Sequence, residues 1–195
     1  MKKDIILAGV GGQGILSIAA TIGMAALDMG LHLKQSEVHG MSQRGGDVQS
    51  NLRISDKEIA SDLIPKGKAD MIISVEPMES LRYLPMLAGG GWVITNTTPY
   101  INISNYPPIE KILEEIAKLP HHVAIDADQI ARDLGSSRSA NIVILGAASP
   151  HLGIPEEQLE KAIRKMFGRK GEDIVEINLR CFRAGVNFSM EHKGQ

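Results

Sequence analysis

The chain has 195 residues, 43% of them hydrophobic, enough apolar material for one globular domain with a sizeable core. Lys and Arg number 21 against 23 Asp and Glu, so no bulk field draws the chain to nucleic acid or to anionic lipid, and neither nucleic acid nor a membrane is an expected partner. The first apolar run breaks at Gly9, far short of a membrane span or secretory leader, and Cys181 is the only cysteine, which excludes an internal disulfide framework and makes the cytoplasm the expected compartment.

Asp4 to Gly9 reads as a short strand buried on both faces, the expected centre of a sheet. Ile15, Ile18, Ala19, Ile22, Ala26 and Met29 then recur at helical spacing until Gly30. Leu31 to Val38 is a second predicted strand. Val48 to Ile54 alternates, with Val48, Ser50, Leu52 and Ile54 on one side. Asp70 to Val75 and Trp92 to Thr95 are further buried runs, separated by a predicted helix from Pro77 to Leu87, and Val123 to Ile125 is another short strand. Asn141 to Leu152, Pro155 to Phe167 and Asp173 to Phe188 read as helices. The apolar segments are evenly spaced, with no linker or repeat. The pattern predicts a single α/β domain over residues 1–195: a mainly parallel sheet flanked by helices in a Rossmann-like three-layer arrangement, with a helical C-terminal region.

Two loops concentrate special residues. Gly9-Val10-Gly11-Gly12-Gln13-Gly14 joins the first strand to the first helix, a context in which backbone N–H groups can face a phosphate or carboxylate; the competing reading is a tight turn with close helix–strand packing. Glu37-Val38-His39-Gly40-Met41-Ser42-Gln43-Arg44-Gly45-Gly46 follows the second strand and is expected on the same carboxyl edge, so the two loops should act together. Arg44 can grip a carboxylate or phosphate bidentately while Gly45 and Gly46 admit a neighbouring backbone; a solvated turn with an incidental arginine is the alternative. Gly11, Gly12, Gln13, Gly14, Glu37, His39, Arg44, Gly45 and Gly46 are therefore the ligand or interface candidates. Asn96 and Asn141, at a strand end and a helix start, join them or simply cap.

Other polar residues carry less. His121 and His122 are adjacent at a strand entrance, point to opposite faces and do not suit one metal. Asp126 and Asp128 are expected to cap the next helix or touch a ligand at the sheet edge. Ser17 and Ser42 have no base at a diagnostic spacing, Cys181 lies on a helical stripe with Ile177, Ala184 and Phe188, and no metal site is expected.

Gly11 to Gly14, Arg44 to Gly46, the strand from Asp70 and Asn-Ile-Val-Ile-Leu-Gly at Asn141 to Gly146, in this order, resemble the gamma domain of the 2-oxoacid:ferredoxin oxidoreductases, over most of the chain. The fuller string from Glu37 to Gly46 is most similar to the small beta subunit of the indolepyruvate:ferredoxin oxidoreductases. The resemblance implies a subunit of an enzyme that turns an arylpyruvate and coenzyme A into an aryl-acetyl-CoA and carbon dioxide while reducing ferredoxin. It implies a larger partner subunit carrying thiamine diphosphate, Mg and the iron-sulfur clusters, contact with ferredoxin only through that partner, coenzyme A as co-substrate, no cofactor on this chain and no catalytic residue in it alone. One cysteine cannot hold a cluster, and no GDG-then-Asn-Asn pattern appears for a thiamine diphosphate magnesium site. The gamma subunit of a pyruvate or 2-oxoglutarate enzyme fits the same motifs. A stand-alone nucleotide-binding regulatory module, with Gly9 to Gly14 on a pyrophosphate and Glu37 on a ribose, is the reading from another class, although Glu37 stands further along than the ~20 residues usual for a ribose-binding carboxylate.

Overall fold

The structure, a computed structural model, describes residues 1–39 and 45–192. Six strands form one sheet in the order β2-β3-β1-β4-β5-β6. β1 (Lys2–Val10) lies inside the sheet and is buried from Asp4 onward. It is parallel to β4 (Ala69–Ser74), β4 to β5 (Leu87–Asn96) and β5 to β6 (His122–Ile125). On its other side β3 (Asp47–Ser55) runs antiparallel to both β1 and β2 (His32–His39). All strands but β3 thus share one direction, and the sheet is mixed. A hairpin brings the end of β2 back to the carboxyl edge of β1, where Val10 pairs with Asp47 and His39 with Val48.

α1 (Ile15–Asp28) and α5 (Ala140–Leu152) cover one face, packing on Ile5, Leu7, Leu52, Met71, Ile73 and Ile94. α2 (Pro77–Arg82) and the turn after it cover the other, where Tyr83, Leu84, Met86 and Leu87 meet Ile6, Ile72 and Val93. The helix expected from Pro77 to Leu87 stops at Arg82, because Pro85 cannot continue it. A 3-10 turn spans Leu84–Met86, and β5 starts at Leu87 and runs through Gly89–Gly91, well before the expected Trp92. One helix escapes the sequence reading, α3 (Ile109–Ala117), with Ile112 and Ile116 buried; the sequence sets no bounds for the short α4 (Ala127–Asp133), but Asp126 caps it as expected, accepting from Gln129 N at 2.9 Å. α6 (Glu156–Phe167) packs chiefly on α1, and α7 (Glu172–Glu191) on α5.

α5 has no polar face: every residue from Asn141 to Ser149 is buried. Such a helix must be covered all round. The sheet lies on one side and α7 on the other, with backbones in direct contact. A Cβ on Gly146 would fall 1.9 Å from the Phe182 carbonyl oxygen, and one on Gly185 would fall 2.0 Å from that of Val143. Cys181 lies in this interface, fully buried, and burial raises its thiol pKa.

Two features mark the opposite, amino edge. His121 and His122 part as the alternation predicts: His121 tilts against Trp92, ring centroids 5.2 Å apart, while His122 Nδ1 lies 2.8 Å from the Leu119 carbonyl. Trp92 stacks on His151 at 3.7 Å. Asp4, with its side chain 1% exposed, takes both arms of Arg53 at 2.7 and 3.1 Å and Lys2 at 2.9 Å. Burial alone would raise the Asp4 carboxyl, but Arg53 and Lys2 outweigh it and hold the group below its ordinary value of 3.8. A lowered folded-state pKa stabilises the fold above the unfolded-state value, and that contribution disappears as pH falls through the folded-state value.

Two outcomes follow. Gly146→Ala should lower unfolding stability by ~3 kcal/mol through overpacking against backbone that cannot swing aside, read as a shift of the urea midpoint. Asp4→Asn should flatten the fall in stability below pH ~4 that the wild-type chain shows in acid titrations followed by circular dichroism.

Candidate functional site

The carboxyl edge gathers the ends of β1, β2, β4, β5 and β6. Here the two glycine loops meet: Gly11 N donates to the Gly46 carbonyl at 2.8 Å, and Gly45 N to that of Gly11 at 3.4 Å. This extends the β1–β3 ladder past the strands. Gly45 has φ +80° and Gly12 φ +104°, and a Cβ on either would meet open space, so the demand at both is conformational. Arg44 and the His39 side chain lie outside the described residues; the His39 backbone closes β2.

Gln13, Asn96 and Asn141, all sequence candidates, are joined to the protein itself. Gln13 Oε1 accepts from Val10 N at 2.8 Å, and its Nε2 donates to the Val75 carbonyl at 3.4 Å. Asn96, 3% exposed, donates to Val75 O and to Asp128 Oδ2 (2.6 Å) and accepts from Ala127 N (3.1 Å). It thereby staples the ends of β4 and β5 to the start of α4, whose N-cap is Asp126. Asn141 Nδ2 donates to the Gly14 carbonyl at 3.1 Å, locking the first turn of α5 to the start of α1. Gly14 has φ +82°, and a Cβ there would fall 2.6 Å from Asn141 Nδ2, so both space and backbone require glycine. Glu37 is exposed on β2, with β3 standing between it and β1. Two strand spacings, ~10 Å, therefore separate it from the first glycine loop, and the ribose geometry of the nucleotide reading is not formed.

Below these joints lies a cleft of ≈ 390 Å³, floored by Gly12, Gln13, Asn96 and Asn141 and walled by Asp128 and Arg138. A second hollow of ≈ 400 Å³ continues past Gly14 and Arg138 to Ser17, Ser139 and Lys170. α1 and α5 both start here, and neither N-cap residue, Gly14 or Ser139, caps with a side chain, although Asn141 Oδ1 accepts from Ile142 N at 3.0 Å. In the ≈ 390 Å³ cleft Arg138 is offset by Asp128, whereas the second hollow is lined by Arg138 and Lys170 and, among the described residues, by no carboxylate; there the two helix starts and two cations give a positive bias suited to an anionic group. Arg138 is exposed and makes no ion pair among the described residues. Sequence reasoning passed over it; the signal was one cation in the run Gly135-Ser136-Ser137-Arg138-Ser139 leading into a helix. Among the described residues, no group of three His, Cys, Asp or Glu side chains could hold a metal.

Glu76 was missed as well. Fully buried at the end of β4, its carboxylate accepts from Glu79 N at 2.8 Å, from Tyr100 N at 3.3 Å and from the Tyr106 hydroxyl. Burial and this carboxylate both raise the Tyr106 pKa. Beside it Tyr83, pushed up to about 12 chiefly by burial and then by Asp47, donates to Asp47 Oδ2 at 3.4 Å. The signal was Glu-Pro after a buried strand, an N-cap followed by proline at the first helical position.

The Gly14 geometry makes a direct test. Gly14→Ala should cost about 2 kcal/mol through the left-handed backbone alone, with displacement of the Asn141 side chain visible as changed amide shifts at the start of α5.

Residues 4–188 match the family model for pyruvate ferredoxin/flavodoxin oxidoreductase. The indolepyruvate oxidoreductase subunit IorB of Thermococcus kodakarensis is 38% identical over the full length of both chains. The gamma subunit of a keto/oxoacid ferredoxin oxidoreductase from Geobacter sulfurreducens superposes with a TM-score of 0.71 at 26% identity, over 97% of this chain and 99% of that one. The 2-oxoglutarate:ferredoxin oxidoreductase of Magnetococcus marinus shares the fold, with a TM-score of 0.78 at 23% identity; the whole of this chain spans 32% of that longer one. Motif order, sheet topology and end-to-end similarity agree, and the chain belongs to the pyruvate ferredoxin/flavodoxin oxidoreductase family, as a small subunit of the 2-oxoacid:ferredoxin oxidoreductase type.

Proposed function

We propose that the chain is the small subunit of an indolepyruvate:ferredoxin oxidoreductase and completes an active site whose cofactors belong to a larger subunit. The pairing of Gly11 with Gly46 carries this reading, because it joins both motif loops into one surface beside the cleft. Full-length identity to IorB proteins supports the arylpyruvate class. In the assembled enzyme an arylpyruvate loses carbon dioxide, its acyl group passes to coenzyme A and the electrons released reach ferredoxin. Thiamine diphosphate with Mg, bound to the larger subunit, supplies the carbanion chemistry, and iron-sulfur clusters there carry the electrons. A single buried cysteine gives this chain no thiolate set for a cluster.

The role of this chain is then binding and positioning. The N-termini of α1 and α5, with Arg138 and Lys170, favour an anionic group in the second hollow, and a phosphate of coenzyme A suits them. Gly11, Gly12, Gly45 and Gly46 let the backbone approach a neighbour closely, while Gln13, Asn96 and Asn141 hold the loops' frame. Arg44 is assigned to grip a carboxylate or phosphate of the partner or of coenzyme A; Glu37 and His39 lie along the same rim. No helix among the described residues is long and apolar enough to cross a membrane, and the proposed compartment is the cytoplasm.

Co-production with the larger subunit of the same source tests the reading. A brown complex that reduces a dye only with arylpyruvate and coenzyme A is expected, with the free small chain inactive. Arg44→Ala should assemble normally yet lose about tenfold or more in kcat/KM. Full kcat/KM in that complex overturns the Arg44 assignment. A lone, colourless chain whose melting temperature rises with NAD overturns the subunit reading in favour of a nucleotide-binding module.

A further inference from the structure

The connection from β5 to α3, residues 97–108, has no regular secondary structure yet is tied down along its length. Thr97 N donates to the Ile125 carbonyl at 3.0 Å, and the Thr98 hydroxyl to Asp126 Oδ1 at 3.2 Å. Tyr100 N and the Tyr106 hydroxyl both reach Oε1 of buried Glu76. Asn102 Nδ2 donates to the Gly45 carbonyl at 2.6 Å, fastening the loop to the second glycine loop. A buried carboxylate without a cation is costly unless its hydrogen bonds are satisfied, so Glu76 fixes both the start of α2 and this loop.

What the loop presents is apolar. Tyr100 is 43% exposed, Ile103 43% and Ile101 71%, more than any other large hydrophobic side chain among the described residues. Isolated exposed leucines or isoleucines are ordinary, but three such side chains within four residues, on a tethered frame, mark an interaction site. Long irregular loops in compact domains tend to be functional. Holding the apolar side chains in place beforehand lowers the ordering cost of binding.

We infer that residues 100–103 are a preorganised docking tip through which this chain anchors to the larger subunit, Ile101 and Ile103 entering an apolar recess of that partner. The inference rests on the subunit reading. The occupant follows from position: Asn102 makes the tip continuous with the Gly11–Gly46 surface, which that reading places against the cofactor-bearing subunit. In the Magnetococcus marinus enzyme the same fold is one section of a longer chain, as suits a domain that lies against other parts of its enzyme.

The test uses the co-purified complex, with dissociation followed by mass photometry on dilution. Ile101→Asp and Ile103→Asp should each raise Kd about tenfold or more, as for central anchors of an interface, with the melting temperature of the free chain unchanged. Leu63→Asp, equally apolar and 56% exposed but in the loop between β3 and β4, should leave Kd as it is. Tyr106→Phe should weaken the complex less and speed amide exchange across residues 100–106, as expected of a positioning group. Complexes of both isoleucine variants that dissociate like wild type overturn the docking tip alone. A wild-type chain that never associates with the larger subunit, or that only self-associates through the tip, overturns the subunit reading and the inference with it.

Discussion

A helix without a polar side sets the terms for the rest of this fold. α5 can exist only where every direction around it is protein, and the chain meets that demand by laying it across β4 and β5 and closing α7 over it until main chains touch. Two glycines at the contact make the approach possible. Because α5 cannot shift without opening a cavity or driving backbone into backbone, its first turn is held firmly, and Asn141 transmits that firmness to the start of α1. The cleft inherits its shape from packing several residues away from it.

Much of the architecture was readable because the buried strands are unambiguous. Asp4 to Gly9 and Asp70 to Val75 are nearly continuous apolar runs, and Val48, Ser50, Leu52 and Ile54 share one buried side, although Asn51 between them is buried too. The reversal of β3 was not readable, since a strand's pattern records which face is buried and not which way the chain runs. The start of β5 was hidden by Gly89–Gly91, a sequence that resembles a turn and lies where the strand bulges, the register on β4 passing from Ala69–Leu87 to Met71–Trp92. α3 was legible in principle: Ile112 and Ile116 sit one turn apart among Glu and Lys.

The candidate site was legible as a place more than as a set of contacts. The two glycine loops do lie together, since β2 returns to the same edge. Yet the polar candidates Gln13, Asn96 and Asn141 hold the frame with their own side chains. Amides suit that duty because each offers both a donor and an acceptor. Sequence alone could not divide holders from contacts, because the division depends on which carbonyls lie within 3 Å or so of each amide. Glu76 was invisible for the same reason: three of its donors come from α2 and from a loop more than twenty residues away.

The stacking of Trp92 on His151 has a practical side. The only tryptophan lies toward the amino edge of the sheet, away from the glycine loops and the 97–108 connection. Its emission therefore follows the integrity of the β5–α5 contact while remaining a spectator to events at the carboxyl edge. The molecule carries a built-in fluorescent gauge of its own folding, distinct from any signal of assembly.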